Sequence, residues 1–231
     1  MKRAYLLLVI LFTTIYTNLN AVNTDSIKAL LPTLQGTRLI SALNTLAWEL
    51  KYSNATDSWT YAQTAGRLLA MHPDDNEWML YYRNLTALHT LKADFDSSLF
   101  YGEKGLKLAR DLNNDYQQGK LLNILSIGYR EKALYRQAVE AQKKALAIFE
   151  NLTDTAEILG NLNNLAMTYG RMGNDTASLS MHLKVLKLEE PRGNPAAIAR
   201  SANNVGMALL ALDRIDEARF YFDKALKLAE Q

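Results

Sequence analysis

A 40-residue period runs along this chain and restricts it to a stack of repeated units. A small residue returns at Ser58, Ser98, Ala138, Ser178 and Ala218, and seven residues later at Ala65, Gly105, Ala145, Val185 and Ala225. Between them lies a mostly bulky column of Tyr61, Tyr101, Ala141, Met181 and Tyr221. Spacings of three, four and seven trace one face of an α-helix, and its small residues let a second helix approach closely. An earlier helix in each unit carries Leu85, Leu125, Leu165 and Val205, then Thr86, Ser126, Ala166 and Gly206, then His89, Tyr129, Tyr169 and Leu209. The first unit matches one residue out of register, through Leu43, Leu46, Ala47 and Leu50, which predicts a connecting turn one residue shorter. Ala93-Asp94, Ala133-Leu134, Gly173-Asn174 and Asp213-Arg214 mark turns between the paired helices. The expected fold is all-α, a right-handed α-solenoid of five stacked helix-turn-helix hairpins spanning 37–231. Its repeats are expected near 39–72, 79–112, 119–152, 159–192 and 199–231.

Composition agrees. Pro and Gly number only 4 and 11 in 231 residues, too few for a β protein full of tight turns. There is no cysteine, hence no disulfide, thiolate metal site or cysteine nucleophile. A net charge of +2 lacks the basic excess of most nucleic-acid-binding domains, so no nucleic-acid partner is expected. Residues 1–21 join Lys2 and Arg3 to an apolar run of 13, Ala4 to Tyr16, with small Ala21 after a polar stretch. That run is short for a membrane span and reads as a signal peptide, which leaves a neutral mature chain with no membrane span. The expected location is the bacterial envelope, periplasmic or secreted, with a retained N-terminal anchor as the alternative. Residues 22–36 read as a short capping helix stopped near Pro32 and Gly36. The four N-x-S/T sequons, at Asn54, Asn84, Asn151 and Asn174, are read as coincidental.

The stretch LNNLAMTYGRMGNDTASLSMHLKVL, 162–186, resembles the tetratricopeptide repeat (TPR) family in the order of its Leu, small, Tyr, Gly and small-then-Leu positions. Nineteen residues separate the small positions of the paired helices in repeats two to five, as the family requires. The usual repeat is about 34 residues, so the extra six are expected between hairpins, in EEPRGNP and its counterparts. That arrangement favours a lengthened tetratricopeptide repeat over a HEAT repeat. The resemblance implies a concave surface lined by the first helix of each unit.

On the faces expected to line that groove stand Asn44, Arg83, Asn84, Asn123, Asn163, Asn164, Asn203 and Asn204. An amide side chain both donates and accepts, so a ladder of Asn can hold a peptide backbone without reading its side chains. Kinesin light chains and bacterial peptide-pheromone receptors, which the pattern resembles, grip peptides in this way. The alternative is that these Asn only link neighbouring helices. Lys120, Arg130, Arg171 and Arg200, with Trp48, Met167 and Met207, lie on the same faces and would favour an acidic or C-terminal segment. The lysine pattern of chaperone-tail clamps is not reproduced. His72, His89 and His182 stand in different repeats, so no metal, no cofactor and no catalytic set is expected.

The sequence therefore points to a non-enzymatic, exported module that binds a protein or an extended peptide. The alternative is the sensory region of a larger signalling protein such as a histidine kinase or transcriptional regulator. A fifth repeat whose Leu209, Leu210, Phe220 and Leu226 lack a following hairpin is expected to expose apolar surface, fitting a homodimer or a further C-terminal domain.

Overall fold

The computed structural model describes residues 23–230, so the expected signal peptide lies outside the described residues. Within them, eleven α-helices are present and no strand. They are α1 Thr24–Leu30, α2 Gly36–Glu49, α3 Ala55–Met71, α4 Asp75–Leu91, α5 Phe95–Asp111 and α6 Asp115–Glu131. They continue as α7 Tyr135–Asn151, α8 Thr155–Arg171, α9 Asp175–Glu189, α10 Pro195–Ala211 and α11 Ile215–Ala229. The fold is all-α and of the helical-repeat solenoid class, and its five hairpins are α2–α3 through α10–α11. Two compact units divide the chain, one up to Glu77 and one from Trp78, with the boundary inside α4.

In the first unit, α1 is capped by Asn23, whose side chain accepts from the N–H groups of Asp25 and Ser26, and it buries no residue. Pro32 sits in the 3₁₀ turn Leu31–Thr33 that follows. Helix α2 packs on α3 through Ile40, Leu43, Leu46 and Ala47, and Ser58 donates from Oγ to the carbonyl of Ala47 at 2.5 Å. The connection 50–54 has five residues, against three between α4 and α5. The one-residue shortening legible in the sequence thus comes from an early end of α2, not from a shorter turn.

The second unit shows how the repeat is built. Helices α5, α6, α7, α8 and α10 are each 17 residues long. Three residues join α4 to α5, and the same number joins every later pair up to α9 and also α10 to α11. At Ala93, Asn113, Ala133, Thr153, Gly173, Gly193 and Asp213, one residue every 20, the backbone turns left-handed. After each of these except Gly193, the next N–H reaches back to the carbonyl five residues before it, as from Asp94 to His89 at 2.9 Å and from Asn114 to Ala109 at 2.8 Å. These bonds satisfy the orphan carbonyls of a helix C-terminus. The same residue then caps the next helix: Asp94, Asn114, Asp154 and Asn174 accept from the N–H three residues on. Leu134 and Arg214 occupy the equivalent positions without a side-chain cap.

The six residues beyond a usual repeat are therefore not a linker. They are helix, because the connections between hairpins are as short as those within them, apart from the 3₁₀ turn Glu190–Arg192. Two of the sequons, at Asn54 and Asn174, are these capping asparagines.

Packing follows the columns. Ser98, Ala138, Ser178 and Ala218 are all buried where paired helices cross, as are Leu85, Leu125, Leu165 and Val205. One core cluster joins Leu106, Leu121, Leu125, Ala145 and Phe149, and another joins Leu179, Leu186, Ala202, Val205 and Leu209. Leu209, expected to be uncovered, is buried because it packs within this second cluster; Leu210, Phe220 and Leu226 are exposed. A Cβ on Gly119 would stand 2.6 Å from Cζ of Phe149, and one on Gly206 would stand 2.6 Å from Cε1 of Phe222.

Two expectations arise from this packing. Gly206→Leu overfills its contact and should cost roughly 1–3 kcal/mol in urea titration; an unaltered midpoint would contradict the close approach. Thr153 is β-branched at φ 53°, so Thr153→Gly should raise stability by about 1 kcal/mol and Gly173→Ala should lower it by a similar amount.

Candidate functional site

The faces that first helices turn toward one another carry most of the singled-out residues, and the structure puts these to different uses. In the first unit, Asn44 is buried and its Nδ2 donates to the backbone carbonyl of Glu77 at 3.0 Å and to its Oε2 at 2.8 Å. Trp48 is half-buried, with the ammonium of Lys51 3.7 Å from its ring centre. Asn44 thus ties helix to helix inside the fold.

In the second unit, Arg83 is buried and donates to Oε1 of Gln117 at 3.0 Å and to Oδ1 of the buried Asn84 at 3.2 Å. Helices α6 and α8 are joined along their length by three polar links. Lys120 donates to Glu157 at 2.6 Å, Asn164 donates to Oδ1 of Asn123 at 2.8 Å, and Arg171 lies 4.0 Å from Glu131. Arg130 is buried and donates from Nε to Glu131 at 3.0 Å. Lys120 and Arg130 were expected to make the groove basic; their charges are instead matched by carboxylates at hydrogen-bonding distance. The same short distance that lets the helices pack lets opposite side chains find one another.

That pattern stops at α8. In the register of Lys120 and Arg130, α8 has Gly160 and Gly170, both exposed, and a Cβ at Gly160 would meet nothing within 4 Å. Between these glycines stand Asn163 and Met167; one repeat on, α10 presents Asn203 and Met207 flanked by Arg200 and Leu210. Met167 is 49% exposed and Met207 55%. Oδ1 of Asn163 is buried without a hydrogen-bond partner among the described residues. Arg200 is exposed with no carboxylate within 4 Å among the described residues, and Asn203 is exposed beside the half-buried Asn204. Small residues at both ends of α8, repeated amide–thioether pairs and one free guanidinium make an open surface that accepts and donates hydrogen bonds over a flexible apolar floor.

The singled-out residues thus separate into two groups. Asn44, Arg83, Asn84, Lys120, Asn123, Arg130, Asn164 and, at the longer distance, Arg171 are engaged within the fold, whereas Asn163, Met167, Arg200, Asn203, Asn204 and Met207 gather on α8 and α10. Gly160 and Gly170 were not singled out, although their signal was present as interruptions of the long-chain columns. Asn161, 1% exposed with both side-chain polar atoms unpartnered, was also not anticipated.

No group of three His, Cys, Asp or Glu side chains among the described residues is arranged to hold a metal, and no described helix is long and apolar enough to cross a membrane. His89 stacks on Tyr101 and its Nδ1 lies 2.9 Å from Asp94. Burial holds the imidazole of His182 below its ordinary value of 6.5. The unfolded chain then binds the proton more readily, so the stability contributed is full above about pH 6.5 and is lost as pH falls through the lower folded value. His182→Gln should flatten the acid side of a melting-temperature profile, and an unchanged profile would contradict this. Asn164→Ala should cost about 1 kcal/mol by breaking the link to Asn123, while Asn163→Ala should leave the urea midpoint within about 0.5 kcal/mol.

A family model described as tetratricopeptide repeat matches residues 154–231, which contain α8 to α11. No curated protein matches the chain by sequence. Among solved structures, BtubC (BKLC) from P. vanneervenii is similar with a TM-score of 0.75 and 17% identity, over 90% of this chain and 87% of that one. A signal transduction ATPase with numerous domains (STAND) from Pyrococcus horikoshii, a protein with a tetratricopeptide repeat sensor, is similar at 0.73 and 14%, over 89% of this chain but only 32% of that one. A Rap protein complexed with Competence and Sporulation Factor is similar at 0.72 and 13%, over 90% and 58%. At these identities the likeness is one of fold. The tetratricopeptide match covers residues 154–231, and the described residues share the helical-repeat solenoid fold of these structures.

Proposed function

We propose that this protein is an exported interaction module that holds an extended peptide segment against the α8–α10 face. The tetratricopeptide fold itself indicates a protein partner. The observation that carries the finer reading is the repeated pair Asn163–Met167 and Asn203–Met207, 40 residues apart, in which Met167, Asn203 and Met207 are exposed and the half-buried Asn163 keeps an unpartnered Oδ1 among the described residues, where the links joining α6 to α8 give way to Gly160 and Gly170. Peptide amides have the same donor-and-acceptor character as Asn, and Met side chains adapt to varied apolar residues. Arg200 adds a preference for a carboxylate in the bound segment. The Rap protein, complexed with Competence and Sporulation Factor, supports this use of the fold.

A random 12-residue peptide library displayed on phage, selected on the immobilised chain, tests the reading. Recovered peptides should be enriched in Asp, Glu or C-terminal carboxylates. Two lost hydrogen bonds of about 1 kcal/mol each should weaken their binding roughly thirtyfold in Asn163→Ala/Asn203→Ala. Equal binding by the double variant would place the site elsewhere.

The second reading is a sensory region acting within a larger signalling protein, favoured by the STAND protein and its repeat sensor. Intact mass of the endogenous protein from fractionated cells separates the two. A soluble envelope species of 22–231 supports the module, and a larger membrane-bound species supports the sensor.

A further inference from the structure

Apolar burial in the second unit is interrupted at α8. The buried members of one core cluster end on α7 with Ala141, Ala145 and Phe149, and those of another begin on α9 with Leu179 and Leu186. The two clusters share no buried residue. Between them α8 meets its neighbours through a smaller cluster of Leu159, Leu162 and Val185, with Leu146 and Met181 packed against it.

Polar groups stand there at registers that are apolar or small one repeat earlier. Leu121 of α6 is buried, and its Cδ2 would lie 3.0 Å from a Cβ on Gly105 of α5. At the register of Leu121, α8 has Asn161, buried with both side-chain polar atoms unpartnered among the described residues. At the register of Gly102, α7 has Gln142, which is also buried. Its Nε2 donates to Oγ1 of Thr168 on α8 at 2.9 Å, while its Oε1 has no partner among the described residues. A buried amide that gives up water without gaining a partner weakens the closed interface. The joint leading into α8 adds to this, because it turns on Thr153, β-branched at φ 53°.

We infer that the second unit opens at this joint, with α8 to α11 separating from the helices before them as one block. In stacked repeats each unit touches only its neighbours, so order is lost first across the weakest contact. The polar links from α6 to α8 do not prevent this, because they run through half-buried Lys120, Asn123 and Asn164, where water can take the place of each partner. The α8–α10 face lies wholly within the block. A segment held there favours the closed block over the open one, so occupancy of the face sets how often the joint opens. That consequence rests on the peptide reading; the joint itself does not.

Pulsed hydrogen exchange of the full chain across a urea series, read by mass spectrometry on separate fragments, tests it. Fragments from α8–α11 should lose protection together, at a midpoint roughly 0.5 M or more below that of fragments from α5–α7. Asn161→Leu gives α8 the residue type that α6 has at Leu121. It should raise the α8–α11 midpoint and leave the α5–α7 midpoint in place, because residue 161 is already exposed once the block is open. If leucine overfills the site, Gln142→Met removes the unpartnered Oε1 at similar volume and should give the same result. An excess of a peptide recovered by the phage selection should raise the α8–α11 midpoint alone. If no peptide is recovered, the peptide reading fails and the peptide-free series still decides the joint. Coincident midpoints in the wild-type chain would overturn the inference, as would variants that move both groups alike or that both fail to raise the α8–α11 midpoint.

Discussion

The repeat depends on a connection of three residues that ends one helix and begins the next. A left-handed residue reverses the chain, and the residue after it closes the helix behind with its N–H while capping the helix ahead with its side chain. Because the joint is so short, neighbouring helices must run antiparallel and in contact, and the step along the chain is held at 20 residues. The cost is visible where Ala93, Ala133 and Thr153 adopt a conformation that suits glycine. Buried small residues at each crossing, such as Ser98 and Ala138, offset that cost by allowing close packing.

Close packing also decides what polar side chains can do. Where first helices adjoin, an amide or a charge on one is within reach of a partner on the next, so Asn164 finds Asn123 and Lys120 finds Glu157. Such groups hold the stack together and are lost to a ligand. Where α8 replaces long side chains by Gly160 and Gly170, Oδ1 of Asn163 is left without a partner among the described residues. A binding face in a repeat protein is thus defined by departures from the repeat as much as by the repeat itself.

The two helix types divide the remaining surface. First helices carry amides and exposed methionines, and second helices carry lysines and acids in nearly equal number beside the exposed Phe100 and Phe220. Phe220 and Leu226, on a helix that buries only Ala218, add apolar surface to the second unit.

Much of this was legible in the residues. Periodicity alone placed the hairpins, their small crossing residues and the cores around Leu125 and Val205, because burial acts on each repeat in the same way and leaves the same columns. The 20-residue step was not legible, since first and second helices bury different faces and share only their caps, Asp94 with Asn114 and Asp154 with Asn174. Nor could the sequence separate Asn163 from Asn164, adjacent residues of one type. A rotation of about 100° along the helix turns one toward Asn123 and leaves the carbonyl of the other without a partner. Local pattern therefore determined the architecture, which averages over many residues, whereas only the packed structure decided which individual side chains remain for a ligand, because that depends on single contacts between helices 40 residues apart.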